Sequence, residues 1–299
     1  MRLLNVKTLR LEGFLLTKKR PKYAILSHTW LEEEVLFYHI ENLERLALEK
    51  LKGFAKVKES CAQAQADGYD YIWIDTCCID KSSSAELSEA INSMWGWYRQ
   101  SDMCYGFLSD IKGNDTKSIY RSRWFKRGWT LQELIAPKNF KFGTSQYNKD
   151  WQELGRRERL AGLVSNITGI DEHVLSRNQN GKHAHDIEPS NLLCAVCGLP
   201  ESIDEILRNI SVASKMSWSA KRETTRCEDR SYCLLGLFGV NMSLIYGEGE
   251  TQAWRRLLDE IIRKSNDQSV FAFDFSTYHF TEASFHNGNP GAFPTRGGI

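Results

Sequence analysis

Tyr71-Ile72-Trp73-Ile74-Asp75-Thr76-Cys77-Cys78-Ile79-Asp80-Lys81 decides the fold of this chain, because an apolar, β-prone run stops on a carboxylate and a helix begins at once. Ser83 and Glu86 fit the Ser-x-x-Glu capping box, and Leu87, Ile91, Met94 and Tyr98 lie on one helical face behind it. The same alternation extends in both directions. Upstream, residues 23–27 read as a strand, and Phe54, Val57, Cys61 and Ala64 fall at helical spacing between it and the strand at 71–75. Downstream, 103–108 reads as a strand, 129–136 as a helix and 139–142 as a strand. This order predicts an α/β fold with a mainly parallel sheet flanked by helices. Ligands of such sheets bind outside the carboxyl ends of the strands. Polar residues lie there: Ser27-His28-Thr29-Trp30 after the first strand, Asp75 to Lys81 after the second, Ser109-Asp110 after the third. No Gly-x-Gly-x-x-Gly or Walker-type loop succeeds any of them.

The helix at 129–136 carries an unusual charge. Trp129-Thr130-Leu131-Gln132-Glu133-Leu134-Ile135-Ala136-Pro137 is entered from Arg123, Lys126 and Arg127 and stopped by proline. Trp129 and Glu133, four residues apart, are expected to share a face, while Leu131, Leu134 and Ile135 point towards a core. An acid beside an indole and near cations suits an anionic, partly aromatic ligand.

With 299 residues, 41% of them hydrophobic and 26% charged, the chain can bury one large core or two smaller ones. A net charge of +1 argues against binding bulk nucleic acid or an acidic membrane surface. The first sixteen residues are broken by Arg2, Lys7, Arg10 and Glu12, so no signal-peptide core is expected, and no run is long enough to span a bilayer. The expected location is cytoplasmic, with the eight cysteines reduced and mostly packed.

Residues 1–144 form the α/β core and 145–275 a helical extension. Within the extension, 146–155, 156–167 and 171–175 read as short helices and turns, 254–262 as an amphipathic helix, and 268–275 as a strand candidate. A polar insertion covers 179–201, and the Gly-, Asn- and Pro-rich tail at 276–299 is expected to lack order. The insertion contains His183, His185, Cys194 and Cys197, a conceivable tetrahedral zinc set. The His-x-His spacing is not that of a finger, and the expectation is no metal.

Three blocks together carry a family resemblance. Tyr23-Ala24-Ile25-Leu26-Ser27-His28-Thr29-Trp30, then Trp73-Ile74-Asp75-Thr76-Cys77-Cys78-Ile79-Asp80-Lys81 with the Glu86 helix, then Arg123-Trp124-Phe125-Lys126-Arg127-Gly128-Trp129-Thr130-Leu131-Gln132-Glu133-Leu134 resemble, in order and spacing, the fungal heterokaryon-incompatibility (HET) domain. The stretches from Arg226 to Val240 and from Leu244 to Glu250 resemble the segment on the C-terminal side of that domain in many members. Ile79-Asp80-Lys81 departs from the commoner Ile-Asn-Gln. The resemblance implies a trigger of cell death or growth arrest in non-self recognition, switched on by clustering or by an upstream partner protein.

HET domains resemble TIR domains, which implies a TIR/flavodoxin-like core. Trp129-Thr130-Leu131-Gln132-Glu133-Leu134 is similar to the helix bearing the catalytic glutamate of NAD-cleaving TIR domains. The resemblance makes Glu133 the catalytic residue and NAD the substrate, with no cofactor. Ser27, His28, Trp30, Asp75, Arg123, Arg127 and Trp129 are the candidate substrate-binding residues: an indole to stack on a ring, a guanidinium to hold the pyrophosphate. Each also has a plainer reading. Glu133 as an ion-pair partner of Arg123 or Arg127, Asp75 as a strand-end acceptor of backbone N–H groups, and His28 as a satisfied core histidine all remain open. Two function classes stand beside each other: an NAD glycohydrolase gated by self-association, and a non-enzymatic module that recruits an effector.

Overall fold

In the computed structural model, which describes residues 1–14, 20–111, 116–145, 151–176 and 202–272, four parallel strands form the centre of one sheet. Its seven strands are β1 (Arg2–Asn5), β2 (Leu11–Gly13), β3 (Ala24–His28), β4 (Tyr71–Trp73), β5 (Met103–Phe107), β6 (Phe140–Ser145) and β7 (Trp151–Arg156), in the order β2-β1-β4-β3-β5-β6-β7. Pairings β4-β3, β3-β5 and β5-β6 are parallel; β2-β1, β1-β4 and β6-β7, at the two edges, are antiparallel. Every residue of β3 and of β5 is buried, as expected of parallel strands covered on both faces.

Around the sheet lie α1 (Phe37–Asn42), α2 (Arg45–Leu48), α3 (Phe54–Ala66), α4 (Asp75–Cys78), α5 (Ser84–Gln100) and α6 (Thr130–Ile135). The C-terminal region is largely helical: α7 (Ala161–Thr168), α8 (Glu172–Leu175), α9 (Ile203–Arg208), α10 (Val212–Ser217), α11 (Asp229–Tyr232), α12 (Leu235–Phe238), α13 (Glu250–Lys264) and α14 (Ser269–Ala272).

Several expectations are corrected. Within the stretch expected to be helical at 146–155, residues from Trp151 onward form β7, because the Trp151 ring lies against Tyr105 and Phe107 at centroid distances of 5.4 and 5.8 Å. Gly143 makes that approach possible, since a Cβ there would meet the indole at 2.2 Å. The strand expected at 268–275 is the short helix α14 over its described part. Its start is fixed by Asp267, whose carboxylate accepts the Ser269 amide at 2.9 Å. The capping box of α5 is half present. Ser83 accepts the Glu86 amide at 3.3 Å, but the Glu86 carboxylate turns to Arg2 of β1 and to the Asp80 amide, tying the helix to the sheet edge. The insertion at 179–201, with His183, His185, Cys194 and Cys197, and the tail at 276–299 lie outside the described residues.

Candidate functional site

The chain crosses from β3 to β4 on one side and then returns past β3 to β5, so the strand order reverses at the carboxyl ends of β3 and β5. Ser27 and His28 end β3, and the hydroxyls of Thr29 and Ser109 meet across the gap at 3.4 Å. Successive strand residues point to opposite faces, so Ser27 and His28 address different neighbours.

Ser27 faces α6. Its hydroxyl donates to Glu133 Oε2 at 2.5 Å and accepts the Trp124 indole N–H at 3.0 Å. Trp124 is fully buried, edge-on to Phe125, Phe140 and Phe142, and so cannot shift without disturbing the core. The turn that delivers it, Arg123–Lys126, is capped by Ser122, and Asp110 accepts both the Ser122 hydroxyl at 2.6 Å and the Arg123 amide at 2.7 Å. Glu133 is only 8% exposed. Burial pushes its carboxyl up to about 8; the Asp75 charge adds to this, while Ser27, Tyr98 and the Arg222 guanidinium oppose it. At neutral pH the closed site therefore holds Glu133 mainly as the neutral acid.

His28 faces α3 and α4. Its Nε2 meets Asp75 Oδ1 at 2.8 Å, and its Nδ1 is buried without a hydrogen-bond partner among the described residues. Burial, and then the nearby Lys56 ammonium, lower its pKa, so the imidazole is neutral and one ring nitrogen is unused. Among the described residues Asp75 accepts no backbone N–H group, although its strand-end position suggests that role. It opens α4 and accepts from the Trp30 indole at 3.0 Å and Lys81 at 3.3 Å. Burial raises the Asp75 pKa, but the Lys81 ammonium and the His28 hydrogen bond outweigh it and hold the group ionised. Lys81 also sits 3.6 Å over the Trp30 ring, which is 48% exposed. Beneath lies a buried ion pair, Lys56 to Glu34 at 2.6 Å, whose second carboxylate oxygen has no partner among the described residues.

The candidate residues thus divide. Ser27 and Glu133 meet on one face of β3; His28, Asp75 and Trp30 meet on the other, with Arg123 at the rim donating to the Trp30 carbonyl at 2.9 Å. Arg127 and Trp129 turn away, towards Thr225 at 3.0 Å and Asp229 at 3.3 Å. The Trp129 indole N–H is thus given to Asp229 rather than to the Glu133 carboxyl, and Trp129 stands at the entry of α6, which begins at Thr130. Among the described residues neither Arg123 nor Arg127 pairs with Glu133. The cation that acts on it is Arg222, which donates to the Arg127 carbonyl and to the Thr130 hydroxyl, each at 2.9 Å, and keeps one guanidinium nitrogen buried and unpartnered among the described residues. Sequence reasoning passed over Trp124, Lys81, Lys56 and Arg222. Only Lys81 carried a signal, as a departure from Ile-Asn-Gln.

Among the described residues there is no group of three or more His, Cys, Asp or Glu arranged to hold a metal ion, and no helix is long and apolar enough to cross a membrane. The heterokaryon incompatibility protein (HET) family matches residues 23–121, a span that contains Ser27, His28 and Asp75 and ends before Glu133. Over 254 residues, 81% of this chain, the sequence is 39% identical to the vegetative incompatibility protein HET-E-1 of Podospora anserina. The chain spans 16% of that relative's length. No solved structure matches.

Proposed function

This chain is a fungal HET-domain protein related to HET-E-1, and on that premise we propose that it is an incompatibility-type effector, triggering cell death or growth arrest, whose chemical step is cleavage of NAD at Glu133. The observation that carries the reading is the Ser27–Glu133 contact at the switch point of the sheet, where a single acid is buried with its oxygen held at 2.5 Å. In the reaction the bond between nicotinamide and ribose C1′ breaks. Its electron pair stays on the ring nitrogen, which becomes neutral, and positive charge develops on the ribose. A carboxylate beside C1′ stabilises that charge, and water or a hydroxyl of the same molecule then captures the cation and releases a proton. No general acid is needed, because the leaving group departs as a neutral base.

The raised pKa gives Glu133 a gate. Its neutral resting form has no charge to offer, and the positively charged nicotinamide ring, on entering, favours the ionised form. Glu133 is only 8% exposed, and neither the cavity beside Ile40 and Arg45 nor the one beside Trp95 and Lys215 borders it, so in this reading access follows a rearrangement that self-association supplies. Trp30, exposed above Asp75 and Lys81, offers a stacking face.

The test is nicotinamide release from NAD by purified protein, as dilute monomer and after forced dimerisation. Clustered wild type should release nicotinamide, the dilute monomer should be nearly silent, and Glu133→Gln should lose on the order of a hundredfold in turnover. Release unchanged in a folded Glu133→Gln variant sinks the assignment. Exposed Tyr38 and Leu46, at 64% and 73%, favour a second reading, recruitment of a protein partner. Growth arrest by a clustered protein that releases no nicotinamide would establish it.

A further inference from the structure

A cavity of about 590 Å³, a size typical of small-molecule sites, lies between α5 and the helices α9, α10 and α12, away from Ser27, His28, Asp75 and Glu133. Its side-chain charges are one-sided: Arg20, Arg99, Arg208, Lys215 and Lys264 against the single acid Asp204. Arg99 is paired with Asp204. Among the described residues the other four cations bond only neutral acceptors. Arg20 donates to the Gln100 side chain at 2.5 Å, Arg208 to the Asp204 carbonyl at 3.2 Å, and Lys264 to the Gly239 carbonyl.

Lys215 is the most telling of the four. It is only 9% exposed, yet it spends one donor, on the Leu207 carbonyl at 3.2 Å, and makes no ion pair among the described residues. Its ammonium lies 5.3 Å from the centroid of the Phe238 ring, a weak attraction at that range. The carboxylate that reaches it electrostatically, Asp267, is committed to the Val212 and Ser269 amides. A buried ammonium without a carboxylate partner is costly unless something else neutralises it. Bonding to the end of α9 gives Lys215 a structural role but leaves the three other cations on the same cavity unexplained. The same cavity is also lined by the apolar side chains of Trp95, Leu237, Phe238 and Val240.

We propose that this cavity binds a nucleoside diphosphate, its phosphates on Lys215, Arg208, Lys264 and Arg20 and its base against these apolar side chains, as a site separate from Glu133. Charge-assisted bonds to phosphate are the interaction that four cations lining one cavity without a carboxylate partner among the described residues have to offer. The experiment is calorimetric titration of the full chain with ADP, inorganic pyrophosphate and adenosine. ADP should bind, pyrophosphate more weakly, adenosine hardly at all, and ADP affinity should fall with salt. Lys215→Met should weaken ADP binding at least about tenfold, which is the loss of one such contact. Should that variant fail to fold, Arg208→Gln combined with Lys264→Gln serves the same end, since both side chains are exposed. The readout is binding rather than turnover, and the Lys215, Arg208 and Lys264 variants assign it to this cavity, so failure of the NAD-cleavage reading leaves this result standing. No ADP binding by wild type at millimolar concentration, undiminished binding by the folded double variant, or pyrophosphate binding as tightly as ADP would each overturn the proposal.

Discussion

Glu133→Gln should stabilise the protein, and the gain should grow with pH. In the folded chain burial raises the carboxyl from its ordinary 4.5 to about 8, so the folded state holds a proton that the unfolded state has already lost. Below pH 4.5 both states are neutral and the group contributes nothing. Between 4.5 and 8 the unfolded state ionises while the folded state does not, and stability falls as pH rises. Above 8 the cost is complete. At 1.36 kcal/mol per pH unit, it is about 5 kcal/mol above pH 8, about 3 kcal/mol at pH 7 and about 1 kcal/mol at pH 5. Glutamine keeps an acceptor for the Ser27 hydroxyl and cannot ionise, so the variant escapes the whole cost. Urea unfolding of wild type and Glu133→Gln, monitored by tryptophan fluorescence at pH 5, 7 and 8.5, reads it directly. A stability difference that stays constant over this range would refute the reasoning, because Glu133 would then be ionised at its ordinary pKa.

If ionised Glu133 is the reactive form, kcat/KM for nicotinamide release should rise with pH and level off above about 8; a flat profile between pH 6 and 9 would count against it. Lys56→Met should cost on the order of 3–5 kcal/mol by stranding the Glu34 carboxylate, and adding Glu34→Leu should recover most of the loss, which a double-mutant cycle in urea measures. Glu86→Gln should cost no more than about 1 kcal/mol, since the pair with Arg2 is partly exposed, and should leave nicotinamide release intact. Gly143→Ala should destabilise by about 1–3 kcal/mol through collision with Trp151, seen as a lower urea midpoint.

The parallel centre of the sheet was legible because each of its strands opens on apolar or aromatic residues and has a periodic helix or a capped turn beside it. Ser83 caps α5 as its position predicts, and Leu131, Leu134 and Ile135 are all fully buried. The edges were harder to read. β2 is three residues long, and β7 (Trp-Gln-Glu-Leu-Gly-Arg) alternates no apolar face and exposes Glu153, so neither shows an apolar run. At the site, the carboxylates were visible but their partners were not. Ser27 and Glu133 are separated by 106 positions, and Arg222 reaches α6 from 92 positions away. Local spacing paired Glu133 with Trp129 because both sit on one short segment; tertiary packing gave Trp129 to Asp229 and put Trp124 next to Ser27 instead.

The position of Arg222 explains why the helix bearing Glu133 belongs physically to both halves of the chain. α6 is only six residues long, too short to hold its own shape without tertiary support. Its inner face is anchored by Ser27 and Trp124. Its entry is clamped from the C-terminal region: Arg222 bonds the Arg127 carbonyl and the Thr130 hydroxyl, the Gly128 amide donates to the Glu223 carbonyl at 2.8 Å, and Trp129 reaches Asp229. Gly128 lets that clamp close, since a Cβ there would meet the Thr224 methyl at 2.5 Å. A displacement of residues 222–229 would therefore strain or break the bonds that hold the start of α6. The helical C-terminal region is thus a structural part of the Glu133 site, and a ligand or partner that shifts it has a direct mechanical route to that acid.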